Sequence, residues 1–237
     1  MRLSAPIFQL KRQAKLLCRT EGISLNLALD RIAKKEGFQN WSLLAARVSS
    51  NQSTNGLLTR LSPGDLVLLG ARPGQGKTMI GLRLIAEAIK EGRQGFFYTL
   101  EYTEKDVLKR SDTIGVSPTT LSGAFELDTS NNINAAYIID KLGSAPRESV
   151  VVIDYLQLLD QNRQNPELSI QISELKSFTN KAGLIVVLIS QIDRSYALSG
   201  KSLPDISDVR LPNPVDLTLF NKTCFLNNGE IQFKAVA

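Results

Sequence analysis

Residues 66–85 read LVLLGARPGQGKTMIGLRLI. An apolar run, a loop holding glycine, proline and lysine, and an apolar pattern at helical spacing follow one another without a spacer. A buried strand that breaks into glycines and resumes at once as a helix can wrap backbone N–H groups around phosphate oxygens, with the positive helix N-terminus aimed at the same point. Residues Ala71, Arg72, Pro73, Gly74, Gln75, Gly76, Lys77 and Thr78 fit the phosphate-binding loop pattern, with alanine first where the strict form has glycine. In that pattern Lys77 reaches the β- and γ-phosphates and Thr78 offers its hydroxyl to Mg²⁺. The plain alternative, a glycine-rich turn without ligand, does not explain why a strand precedes it and a helix follows.

Downstream, Ile80, Leu84 and Ala88 share one face of a helix over residues 79–91, which Gly92 ends. The runs DLVLLG (65–70), GFFYTL (95–100), SVVVID (149–154) and LIVVLIS (184–190) are nearly continuous in apolar residues, as in parallel strands covered on both faces. Leu168, Ile172 and Leu175 mark a helix over 168–182 closed by Gly183, and Thr103 with Asp106 forms a capping box for a helix through Leu108. Strands alternating with helices predict an α/β domain with a mainly parallel sheet over residues 57–237. The final stretches VDLTLF, TCFL and EIQFKAV have no helices between them and Asn228-Gly229 is a hairpin signal, so antiparallel strands are expected at one sheet edge.

Upstream, residues 1–48 read as a small helical module, with Leu10, Ala14 and Leu17 on one stripe and Leu25, Leu29, Ile32 and Ala33 on another. Ser24 is the expected N-cap of the second helix, Gly37 its stop, and Trp41 and Leu44 of a short third helix seal the bundle. The polar stretch SSNQSTNG, residues 49–56, is the expected linker. The net charge of +5 is uneven: residues 1–50 hold nine Lys or Arg against three Asp or Glu, a balance of +6. Such a surface suits nucleic acid or an acidic partner, with a solvated helix face as the plain alternative.

Several chemistries are excluded. The chain has no histidine, so imidazole acid–base catalysis and histidine zinc sites are absent. Cys18 and Cys224 lie too far apart in sequence for a paired metal or disulfide pattern and are expected as reduced thiols. The longest apolar run, LIVVLI at 184–189, cannot cross a bilayer, and no leader-like series opens the chain, so a cytoplasmic protein without membrane attachment is expected.

A magnesium nucleotide needs an acidic anchor at a neighbouring strand end, which Asp154 supplies after SVVVI. Glu101, closing GFFYTLE, is the candidate for activating water, and Gln191, closing LIVVLISQ, the candidate for contacting a terminal phosphate. Taken alone, Asp154 could be a capping residue and Gln191 could merely end a strand. Together GARPGQGKT, FFYTLEYT, VVVIDYLQLL and VVLISQIDRS resemble, in order and style, the RecA-like ATPase domain of DnaB-type replicative helicases, and more distantly KaiC and RadA proteins.

The resemblance covers roughly residues 57–237 and implies a RecA-like P-loop NTPase using ATP and Mg²⁺, with single-stranded DNA as partner and a homo-oligomeric assembly such as a hexamer. By it Lys77 and Thr78 bind phosphate and metal, Asp154 supports the metal, Glu101 activates water, and Gln191 couples nucleotide state to DNA-facing loops. Arg163, Arg194 and Lys201 are then the candidate DNA contacts. The family places a basic finger for the adjoining subunit's site before the C-terminal hairpin, where this chain has Phe225, Leu226 and Asn227. Arg194, Arg210 and Lys222 are the candidate substitutes. Two readings follow: a helicase-like motor, or an ATP-gated oligomeric switch without unwinding, either of which leaves residues 1–48 to meet an unidentified protein partner.

Overall fold

A computed structural model describes residues 4–5, 7–44, 56–113, 123–160, 165–211, 213 and 215–236. The chain divides into two units, Met1–Ser53 with Asn228–Glu230, and Thr54–Asn227 with Ile231–Ala237. The expected linker lies outside the described residues apart from Gly56.

In the first unit α1 (Ile7–Glu21) and α2 (Leu25–Lys35) pack on each other, and residues 41–44 are helical. Ser24 caps α2, its hydroxyl accepting the Leu27 N–H at 3.3 Å. Leu10, Ala14, Ala28, Ile32, Ala33 and Leu44 form the core, with Trp41 packed beside them as expected.

The second unit is a seven-stranded sheet in the order β3-β2-β4-β5-β1-β6-β7, formed by β1 (Leu66–Ala71), β2 (Gly95–Thr99), β3 (Phe125–Asp128), β4 (Val150–Asp154), β5 (Ile185–Gln191), β6 (Lys222–Asn227) and β7 (Glu230–Ala235). Pairings from β3 across to β6 are parallel, and β7 returns against β6 through the Asn228-Gly229 turn at the sheet edge. The helices are α3 (Lys77–Lys90), α4 (Glu104–Thr113), α5 (Ala135–Lys141) and α6 (Leu168–Ala182).

The two-residue period of a strand sends neighbouring side chains to opposite faces, and the core divides accordingly. Leu66, Leu68, Val151, Ile153, Val186 and Leu188 pack with Ile138, Ile172 and Leu175 of α5 and α6. Val67, Leu69, Val150, Val152, Ile185 and Val187 pack with Ile80, Leu84 and Ile85 of α3. Helix α3 lies so near β4 that a Cβ on Gly81 would stand 2.8 Å from Val152 Cγ1.

Differences from the expectation are local. VDLTLF contributes no strand: Leu217–Leu219 is a 3₁₀ turn, with Asp216 accepting the Thr218 N–H and hydroxyl in place of a ladder. β6 is parallel to β1, so within the C-terminal pair only β7 reverses direction. β3 and α5 lacked a sequence signal; β3 is a short edge strand without a buried run, and α5 has only seven residues. Among the described residues no helix is long and apolar enough to cross a membrane. Cys18 and Cys224 are free thiols, and burial pushes Cys224 up to about 12.

Candidate functional site

β1 delivers Ala71 beside Gln191 of β5, and the chain then turns away from the sheet. The turn needs left-handed backbone at Gly74 (φ 76°) and Gly76 (φ 88°), which side chains disfavour. Gly76 caps α3, whose first residues are Lys77 and Thr78. Both are buried, with 6% and 5% of their surface exposed. The first turn of a helix leaves unbonded N–H groups, so this loop presents donors and a lysine to one small region.

β4 brings Asp154 to the same region, fully buried. Its Oδ2 accepts the Thr78 hydroxyl at 2.7 Å, while Oδ1 has no hydrogen-bond partner. Burial raises the Asp154 pKa to about 6; the Thr78 hydrogen bond opposes the rise, Glu101 adds to it, and Lys77 and Arg110 oppose it. A buried carboxylate oxygen without a partner is costly, and a bound cation would satisfy it.

Glu101 lies two residues beyond β2, whose Thr99 pairs in register with Asp154. It is exposed, and its N–H is held by Thr99 Oγ1 at 3.1 Å. Helix α4 starts just beyond, its capping box formed as expected: Asp106 N–H donates to Thr103 Oγ1 at 3.3 Å and Thr103 N–H to Asp106 Oδ2 at 3.2 Å. The helix carries Arg110 over the Tyr102 ring, 4.2 Å from its centroid. The sequence reading missed Arg110 and Tyr102. The one available signal was the capped helix itself, which fixes where Arg110 emerges relative to Glu101.

Gln191 lines a second recess, a pocket of about 340 Å³ formed with Arg72, Pro73, Ile192, Asp193, Arg194 and Arg210. Arg72 Nη1 donates to the Asp193 carbonyl at 3.1 Å, tying the phosphate loop to the segment after β5. The Arg210 N–H donates to the Gln191 carbonyl at 2.8 Å, and Gln157 Nε2 donates to the Arg210 carbonyl at 2.6 Å. Gln157 was not foreseen; the VVVIDYLQLL stretch held it, but only the fold brings Arg210 to it.

The structure therefore gathers Lys77, Thr78, Glu101 and Asp154 around one region, and Gln191 with Arg72, Arg194 and Arg210 around another. Lys201 and Lys222 join neither. The Lys201 ammonium is held by Asp205 and Asp208 at 2.9 and 3.0 Å. Lys222 sits opposite Val67, near the start of β1 and so at the far end of the sheet, bound to Asp65 and the Arg60 carbonyl. Arg163 lies outside the described residues. At the hairpin, Phe225 and Leu226 are buried and Asn227 Nδ2 donates to Tyr196 Oη at 2.9 Å and the Ser202 carbonyl at 2.7 Å.

The family model of the KaiC ATPase matches residues 54–209. The replicative DNA helicase DnaB of Helicobacter pylori J99 is 26% identical over 193 residues, 66% of this chain and 40% of the helicase. That of Pasteurella multocida is 25% identical, covering 75% of this chain and 46% of the helicase. The chain thus spans less than half the length of these relatives. Among solved structures, one ATPase domain superposes with a TM-score of 0.56 at 21% identity, covering 77% of this chain and 81% of that one. A DnaB-like replicative helicase studied with primase gives 0.57 at 19%, covering 92% and 64%. The sheet and its flanking helices have the RecA-like ATPase fold of these solved structures.

Proposed function

The chain belongs to the KaiC ATPase family, and from that premise we propose that it is a DnaB-type, ATP-hydrolysing motor acting on single-stranded DNA. In this reading it works as a homo-oligomeric ring in the cytoplasm. Residues 1–48 form a separate module with a partner of its own, tethered by residues 49–56 to the ATPase domain at 57–237. The observation that carries the reading is the buried Thr78–Asp154 pair at the end of the phosphate loop, with one Asp154 oxygen left unpartnered.

Residues 71–78 and the α3 N-terminus would cradle the ATP phosphates, with Lys77 neutralising the terminal ones. Thr78 and Asp154 would hold Mg²⁺, whose contribution is to offset charge on the phosphoryl oxygens. Glu101, exposed where water can reach it, accepts a proton from the attacking water. Arg110, stacked on Tyr102, holds positive potential against Asp154. Gln191 contacts the terminal phosphate, and the Arg72 link to Asp193 carries its loss into the segment at Arg194, a candidate DNA contact.

Steady-state hydrolysis by the full chain, with and without single-stranded DNA and alongside light scattering, tests this. Turnover that requires Lys77 and rises with DNA in an oligomer is expected; absence of nucleotide affinity defeats the reading. One observation favours a second reading, the ATP-gated switch without unwinding. The hairpin presents buried Phe225 and Leu226 and a committed Asn227 where a motor of this family carries a cation for its neighbour. Under that reading turnover is low and indifferent to DNA, and Arg194 and Arg210 remain as substitute fingers for a motor.

A further inference from the structure

We propose that α1 of the N-terminal unit is a docking surface for the phosphodiester backbone of nucleic acid, separate from any contact made by the ATPase domain. The surface is the basic face formed by Lys11, Arg12, Lys15 and Arg19. At about 100° per residue these four fall within an arc of about 100° on the helix, and all four are exposed.

The acidic residues of the N-terminal segment, Glu21, Asp30 and Glu36, are used elsewhere. Glu21 pairs with Arg31, Asp30 accepts the Trp41 N–H at 2.8 Å, and Glu36 accepts the Ser4 N–H at 2.8 Å. Among the described residues none of the four cations on the arc has a carboxylate partner. Lys11, Lys15 and Arg19 succeed one another at four-residue intervals, a like-charge arrangement that disfavours an isolated helix. A regularly charged polyanion removes that repulsion, since the three cations are spaced about 6 Å apart along the axis.

The observations favour nucleic acid over an anionic membrane. A helix that lies on a membrane sets an apolar face beside its basic one, but Leu10 and Ala14 of α1 are fully buried in the unit's own core. Among the described side chains of α1 the remaining exposed apolar one is Leu16, too little to anchor a helix in lipid.

The test uses the full chain without nucleotide, so its result does not depend on hydrolysis. Binding to fluorescein-labelled single-stranded and duplex DNA of about 20 residues is followed by anisotropy between about 50 and 200 mM salt. The Lys11→Gln, Lys15→Gln, Arg19→Gln triple variant is compared with a Gln9→Ala, Gln13→Ala control on the same helix, and circular dichroism verifies folding of both. The triple variant should lose at least about tenfold in affinity, with a salt slope flatter by about three, while the control stays within about twofold of the parent. The relative loss on the two probes tells which form of nucleic acid docks. Unchanged affinity and slope in the folded triple variant would overturn the proposal. So would tighter binding to phosphatidylserine vesicles than to DNA, reduced by the same substitutions, which would assign the face to a membrane.

Discussion

Thr78 donates its hydroxyl to Asp154 at 2.7 Å across 76 positions of sequence. The first residues of α3 and the last residue of β4 meet there, inside the protein, with nothing on the other carboxylate oxygen. An ionisable group held in this way should report on both stability and ligand binding.

Asp154 is raised from an ordinary 3.8 to about 6, mainly by burial. Between those values the folded protein binds more protons than the unfolded chain, so the group's contribution to stability falls as pH rises through that window. Asp154→Asn should therefore stabilise the ligand-free protein above pH 6, by up to about 3 kcal/mol, with the difference vanishing below pH 4. Calorimetry across pH checks this; a variant less stable than the parent at pH 8 would refute it.

The same carboxylate must be ionised to hold a cation. Mg²⁺-dependent affinity for ATP should weaken as pH falls through about 6, and the weakening should be absent in Asp154→Asn, which binds poorly throughout. Titration calorimetry at several pH values gives the profile. A flat profile for the parent would remove Asp154 from the metal site.

Glu101→Gln should lower hydrolysis by about 10²–10⁴-fold while leaving ATP affinity within a few-fold. Lys77→Ala should weaken both, because its ammonium neutralises phosphate charge in the bound and reacting states alike. Equal turnover by the Glu101 variant and the parent would dismiss it as the base.

Arg110 opposes the rise in the Asp154 pKa. Arg110→Gln should move the acid limb of metal-dependent binding to higher pH, whereas loss of packing alone would lower stability without moving that limb. The comparison separates a positioning role from a structural one.

Gly81 faces β4 so closely that Gly81→Ala should cost about 1–3 kcal/mol, since Val152 would have to shift. Urea unfolding measures it; a neutral result would mean that α3 can slide on the sheet.

The sequence by itself determined the alternation of strands and helices, the phosphate loop, the caps at Ser24 and Thr103, and the strand-end positions of Asp154 and Gln191. These are local properties: periodicity, turn chemistry and the placement of glycine follow from a few adjacent residues. Only the tertiary structure decided that Asp154 reaches Thr78, that Arg110 comes over Tyr102, and that Arg194 and Arg210 gather beside Gln191 while Lys201 and Lys222 are held by carboxylates elsewhere. It also decided the direction of β6 and made VDLTLF a turn, because strand pairing is a contest among distant segments for the same edge hydrogen bonds. A cation looks the same in sequence whether it is free or neutralised, since its partner is chosen by the fold.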